Sequence, residues 1–227
     1  MELTLTLPQL ARYTATQINT FFPDGNPVSL ERMEEILPRV LERLSHCLQG
    51  IGSPYFKREG KPFFNHLHSD QYSMYLYLLA NESHIQASLH PSDLAVKSYL
   101  LNKALHGIEA YYQINLPNVF WFAHAMGSVL GRASYGNKLV VMQGCTIGNK
   151  DGEYPTLGEQ VVLCAKSTVL GGVVGSNVCI GAGSLVIGET IPDNSTVVGS
   201  SPNLRIVNKQ SNLIDLYFHK DNSHARP

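Results

Sequence analysis

Between Leu30 and Leu48 the apolar residues Leu30, Met33, Leu37, Leu41, Leu44 and Leu48 recur at three- and four-residue steps, the spacing of one helical face. Ser29 stands where an N-cap belongs, and Pro38 falls inside the pattern, where its missing N–H is expected to kink or divide the helix. Gly50, Gly52 and Pro54 end this segment, and Gly60-Lys61-Pro62 marks another break. A second helix is expected to start near Ser69-Asp70 and to carry Met74 and the run from Leu76 to Leu79. Pro91-Ser92-Asp93 opens a longer one over residues 93 to 112. There Ser92 caps the first turn, Asp93 lies near the positive end, and Leu94, Leu101, Leu105, Ile108 and Tyr112 form a packing stripe.

After Pro117 the pattern changes to short branched-apolar runs separated by glycine and small polar turns. Leu157, Leu163 and Val169 are six apart, as are Val174, Ile180 and Val186, while the step from Val169 to Val174 is five. A six-residue period is neither helical nor the two-residue alternation of a long strand. It fits short strands joined by turns and stacked so that each coil covers the aliphatic column of the next. A Gly-rich antiparallel barrel or sandwich is the alternative, and periodicity alone does not fix the hand of a solenoid. The chain thus divides into a helical region over 1–115, a repeat region over 116–207 and a polar tail over 208–227.

Charge adds an exclusion. Lys and Arg number 17 against 18 acidic residues, a net charge of −1, so no overall electrostatic footprint points to nucleic acid or an anionic membrane. The N-terminus lacks the basic start and apolar run of a signal peptide, and no apolar segment is long enough to span a bilayer. Cys47, Cys145, Cys164 and Cys179 are scattered, and free thiols in a cytoplasmic protein are expected rather than disulfides. No phosphate-binding loop, dinucleotide fingerprint or zinc pattern occurs, and His66-Leu67-His68 is too short a signal for a metal site.

The run His124-Ala125-Met126-Gly127-Ser128-Val129-Leu130-Gly131 resembles the hexapeptide-repeat acyltransferases, and more narrowly the serine acetyltransferases. Gln143-Gly144-Cys145-Thr146-Ile147-Gly148, the repeats from Leu157 to Val186 and the closing Ser200-Ser201-Pro202-Asn203-Leu204-Arg205-Ile206 extend the likeness over residues 93 to 207. The resemblance implies an α+β architecture, a helical N-terminal domain followed by a left-handed parallel β-helix with three short sheets. It also implies acetyl-CoA as co-substrate, held in a groove between neighbouring β-helices of a homotrimer or an assembly of trimers. Three departures bear on the acceptor. Ala123 replaces an aspartate before the histidine, Glu153-Tyr154 replaces an Arg-His pair, and Asn115-Leu116-Pro117 is the nearest remnant of an Asp-Ile-His-Pro start. They leave acetyl transfer standing and shift the expected acceptor away from serine, toward another small hydroxyl compound or a sugar.

Transfer from a thioester to an alcohol needs a base for the hydroxyl proton, a task suited to neutral imidazole. The resemblance makes His124 that base, acting directly and without a protein nucleophile; a covalent role for Cys145 is the weaker alternative. Asp93 resembles an acidic substrate-contact position, against plain helix-start electrostatics. Asn115 is a candidate orienter of the imidazole, and Glu109 is either an exposed helix charge or a histidine partner. Tyr154 either lines the acceptor pocket or anchors the loop before Pro155. By family match Ala165 and Ala182 lie against the pantetheine arm, with Gly148 near the thioester and Lys166 and Arg205 toward the phosphates. No metal is expected. The competing functions are O- or N-acyl transfer to a sugar or other non-serine acceptor, and a noncatalytic repeat scaffold. The ending Ala225-Arg226-Pro227 lacks the terminal isoleucine through which some family members dock the next enzyme of cysteine synthesis, which argues against that partnership.

Overall fold

The computed structural model describes residues 1–87, 93–208 and 212–218. Helices α1 (Leu7–Phe21), α2 (Leu30–Gly50), α3 (Ser69–Gln86) and α4 (Asp93–His106) build the N-terminal domain. Ser29 caps α2, its hydroxyl accepting the Arg32 N–H at 3.2 Å. Of the kink or division expected at Pro38, the division does not occur, and α2 runs on through the proline. The proline sits on the exposed face, where the carbonyl it leaves without a partner meets water. The break at Gly60 is a hairpin turn between Lys57–Arg58 and Lys61–Phe64, and Glu2–Leu3 pairs parallel to the latter strand.

Helix α3 is buried on every side from Asp70 to Ser83, so it is the central helix of the domain and has no solvent face. Its polar groups fasten it to the repeat region. The Tyr77 hydroxyl donates to the Ile114 carbonyl at 2.5 Å and accepts the Leu116 N–H at 2.9 Å, while Asn81 Nδ2 donates to the Tyr112 carbonyl at 2.9 Å.

Helix α4 ends at His106, six residues before the expected 112. Gly107 turns the backbone left-handed (φ +64°), and Glu109–Ala110 is already a strand, paired with Val129–Leu130. Glu109 is therefore not a helix charge. The cap proposed for Ser92 lies outside the described residues.

From Glu109 the chain coils into a left-handed parallel β-helix of three faces. The first face carries Phe120–Ala123, Leu139–Met142, Val162–Leu163, Cys179–Ile180 and Ser195–Val198. The second carries Glu109–Ala110, Val129–Leu130, Thr146–Gly148, Thr168–Leu170 and Leu185–Ile187. Ser134–Tyr135, Thr156–Leu157, Val173–Val174 and Thr190–Ile191 make the third. The periodic residues form the expected internal columns: Leu157 pairs with Val174 and Val174 with Ile191, Leu163 with Ile180 and Ile180 with Val197, Val169 with Val186. These parallel pairings exclude the antiparallel alternative. The five-residue step falls at Gly171-Gly172, both left-handed; a Cβ on Gly172 would lie 2.3 Å from the Glu189 carbonyl oxygen.

The last strand, Arg205–Asn208, runs antiparallel along Ser195–Val198. Beyond it, α5 (Asn212–Tyr217) returns to the N-terminal domain. The Gly52 N–H donates to the Tyr217 carbonyl at 2.8 Å, and Ile214 and Phe218 are buried. The rest of the tail, with His219, His224 and the final three residues, lies outside the described residues. One core runs from α1, α2 and α3 into the coil interior. Among the described residues no helix is long and apolar enough to cross a membrane. No disulfide joins the four cysteines, all of them buried.

Candidate active site

Where the first face turns into the second, successive coils stack their corners into a column. Its rungs are backbone bonds: Gly127 N–H to Gly107, Gly144 to Met126, Lys166 to Gln143 and Gly183 to Ala165, at 2.8 to 2.9 Å. His124 enters the column with φ +53°, an uncommon conformation for a residue with a Cβ. This turn throws the ring outward, and 84% of the side chain is exposed.

Behind the ring stands Asp70, from the first turn of α3. Its Oδ1 accepts the backbone N–H of His124 at 3.2 Å and lies 3.6 Å from the ring's Nδ1; its Oδ2 accepts Nε1–H of Trp121 at 3.1 Å. The carboxylate is 5% exposed, so these two donors and the positive end of α3 compensate its burial. Trp121 is itself packed edge-on against Phe56 and Tyr217, which ties the acid to the segment after α2 and to α5.

A cleft of about 170 Å³ opens beside the pair, lined by Ser69 and Asp70 of α3, Leu105 and His106 of α4, and His124 and Met126 of the corner. Nδ1 of His106 lies 2.8 Å from Asn102 Oδ1, and Asn102 in turn donates to the Ser73 carbonyl at 3.0 Å. Burial pushes the His106 imidazole below its ordinary value, with the Asp70 charge pulling the other way. A neutral, oriented imidazole therefore faces the cleft opposite His124.

The expected site residues fall into three groups. Ala165, Lys166 and Ala182 lie in the same corner column as His124, half-buried or exposed one coil after another. Gly148 ends its strand on the second face, outside that column, and Arg205 is exposed on the closing strand. Asp93 and Asn115 are not brought to the cleft. Asp93 is exposed at the start of α4, the end opposite His106, about 20 Å away at the helical rise. Asn115 points to solvent between buried Ile114 and Leu116. Tyr154 is 49% exposed in the loop before Pro155 and does not line the cleft. Glu109 is paired with Lys103 at 2.6 Å. Cys145 is fully buried, its Sγ 3.1 Å from the Cys164 carbonyl oxygen, which removes it as a nucleophile. Among the described residues no cluster of three or more His, Cys, Asp or Glu could hold a metal ion.

Asp70, His106 and Trp121 had no functional signal in the sequence. The one available hint was an acid in the first turn of a helix whose middle, Met74 to Ala80, is wholly apolar or aromatic.

No family model matches the sequence. A serine acetyltransferase of Synechococcus elongatus is 37% identical over 105 residues, 44% of this chain and 43% of that protein. One of Staphylococcus aureus is 33% identical over 105 residues, 44% of this chain and 49% of the relative. Over this stretch the chain is homologous to the serine acetyltransferases, and the match spans less than half the length of either relative. The crystal structure of serine acetyltransferase in complex with coenzyme A from Brucella abortus superposes with a TM-score of 0.66, over 92% of this chain and 84% of that one, at 19% identity. At that identity the likeness is one of fold.

Proposed function

We propose, with that homology as the premise, that the chain is an acetyl-CoA-dependent O-acetyltransferase of the serine acetyltransferase type, moving the acetyl group directly to a small-molecule hydroxyl. The observation that carries the reading is the outward His124 ring, backed by a buried carboxylate and set over a small cleft at the head of the corner column. His124 takes the acceptor proton through Nε2 as the alcohol oxygen attacks the thioester carbonyl. Asp70, near Nδ1, orients the ring and stabilises the imidazolium. The carbon–sulfur bond then breaks and the imidazolium returns the proton to the departing thiolate. The pantetheine arm follows the small residues of the column, Ala165 and Ala182, with Gly148 at the thioester and Lys166 and Arg205 toward the phosphates. A cytoplasmic homotrimer, or an assembly of trimers, completes the proposal.

His124→Asn tests it cleanly, because asparagine tolerates the left-handed backbone while lacking a basic nitrogen. Turnover should fall by about 10²- to 10⁴-fold, the usual contribution of a general base. CoA binding and the urea midpoint should stay unchanged. Product formation at the wild-type rate would remove His124 from the chemistry.

A further inference from the structure

The carboxylate behind His124 is aimed by an indole. In the first strand of the coil Phe120 and Phe122 are buried in the core, so the alternation of a strand turns Trp121 the other way, toward the start of α3. There its Nε1–H donates to Asp70 Oδ2 at 3.1 Å, while the His124 backbone N–H donates to Oδ1 at 3.2 Å. The terminal torsion of a carboxylate is broad and two-fold, so a single donor leaves it free to swivel. Two donors on different oxygens fix its plane, and Oδ1 then stands 3.6 Å from Nδ1 of His124.

The indole needs support in turn, because the torsion that sets its own ring is equally soft. Phe56 and Tyr217 supply it, each with a ring centroid 5.2 Å from that of Trp121 and set edge-on, at 65° and 84°. Phe56 is fully buried in the turn after α2. Tyr217 ends α5, which is held to the N-terminal domain by the Gly52 N–H and by buried Ile214 and Phe218. Burial raises the Tyr217 phenol above its ordinary value, and the Cys164 and Cys179 thiols add to it. The helix therefore lies across the first face, with its last ring against the indole. All of these groups belong to one chain and stand behind the imidazole, so their contacts are set whatever a neighbouring β-helix adds in front of it.

We infer that Trp121 is a positioning residue of the proposed reaction, acting through Asp70, and that α5 completes the site from behind by clamping the indole. The inference rests on the transferase reading above and adds the C-terminal helix to it as a working part. The contact is read first without turnover. The only tryptophan gives a single indole N–H signal in a proton–nitrogen NMR spectrum. In Asp70→Ala that signal should move upfield and exchange with water at least about tenfold faster, as befits the loss of a hydrogen bond to a charged group. Tyr217→Ala should move it the same way, and Tyr217→Phe, which keeps the ring, should not. An indole signal indifferent to Asp70→Ala overturns the inference and leaves the transferase reading intact.

Turnover is then measured as CoA release from acetyl-CoA with serine, homoserine, glycerol and glucosamine, and the variants are compared on the best of these alcohols. Trp121→Phe keeps a ring against Phe56 and Tyr217 but removes the donor. Its kcat should fall by about ten- to a hundredfold, the cost of a misaimed group, with both KM values within about twofold of the wild type. Added to Asp70→Ala it should cost nothing further, since a residue that acts only through Asp70 has nothing left to aim. Full additivity of the two losses, or an unchanged kcat, overturns the inference while turnover by the wild type upholds the transferase reading. Tyr217→Ala should lose kcat in the same way and Tyr217→Phe recover it; an equal loss in both removes the ring clamp. Release of CoA with none of the alcohols overturns the transferase reading, and the inference with it.

Discussion

His106 shows how a residue with no motif can come to line the site. It packs at the end of α4 against the edge of the Tyr72 ring and is held by Asn102, and burial keeps its imidazole from protonating at its ordinary pH. Below about pH 6.5 the unfolded chain binds a proton at this histidine that the folded chain refuses. Stability present above pH 6.5 is therefore lost as the pH falls toward the depressed folded value. Comparing urea midpoints at pH 7.5 and 5.5 should show a larger acid loss for the wild type than for His106→Gln; an equal loss would place the acid sensitivity elsewhere. At this scale the sequence revealed what a local run can carry. His124 stood out because His-Ala-Met-Gly is contiguous, whereas Asp70 lies 54 positions away and reaches it only through the fold. Asp93, which the resemblance offered as a substrate contact, stands at the end of α4 away from His106 and the cleft.

Among the elements, the corners of the coil tolerate least. A Cβ on Gly136 would stand 2.2 Å from the carbonyl oxygen of Gly158, one coil on, and backbone cannot swing aside as a side chain can. Gly136→Ala should therefore cost at least about 1–3 kcal/mol in urea unfolding, the range of an overpacked core. Gly183→Ala, whose Cβ would meet nothing within 4 Å, faces only the backbone cost of its left-handed φ. Equal losses would mean that conformation, not the inter-coil contact, sets the requirement. The coils themselves were legible because an inward aliphatic at every sixth residue has few other uses, and the five-residue step marked a distortion that proved to be the Gly171-Gly172 turn. The small strands near residues 57–64 were not legible, being too short to show a period. Nor was the end of α4, since a helix and a strand both accept Ile108, Ala110 and Tyr112 as buried residues.

At the scale of the molecule the change in texture after Pro117 marked two architectures, but not how closely they are joined. The aromatic rings of Phe120 and Phe122 in the first coil pack against Tyr77 of α3, and α5 comes back to Gly52 and Ile51. With one core spanning the junction, the helices and the coils should unfold together. Trp121, the only tryptophan, sits at that junction and reports it directly. Its fluorescence and the far-ultraviolet dichroism should give coincident urea transitions, and a split of the two curves would mean separable domains. Joining of this kind depends on contacts between distant segments, which periodicity does not record. A coil stack has no intrinsic stopping point, because the backbone of its last turn offers the same donors and acceptors that received the turn before. Here the antiparallel, solvent-facing Arg205–Asn208 occupies the rim of the first face with reversed polarity and a charge at its head, while α3 packs on the first coil. On that face the stack ends in reversed polarity, so a further coil in the same parallel register finds no matching edge to join.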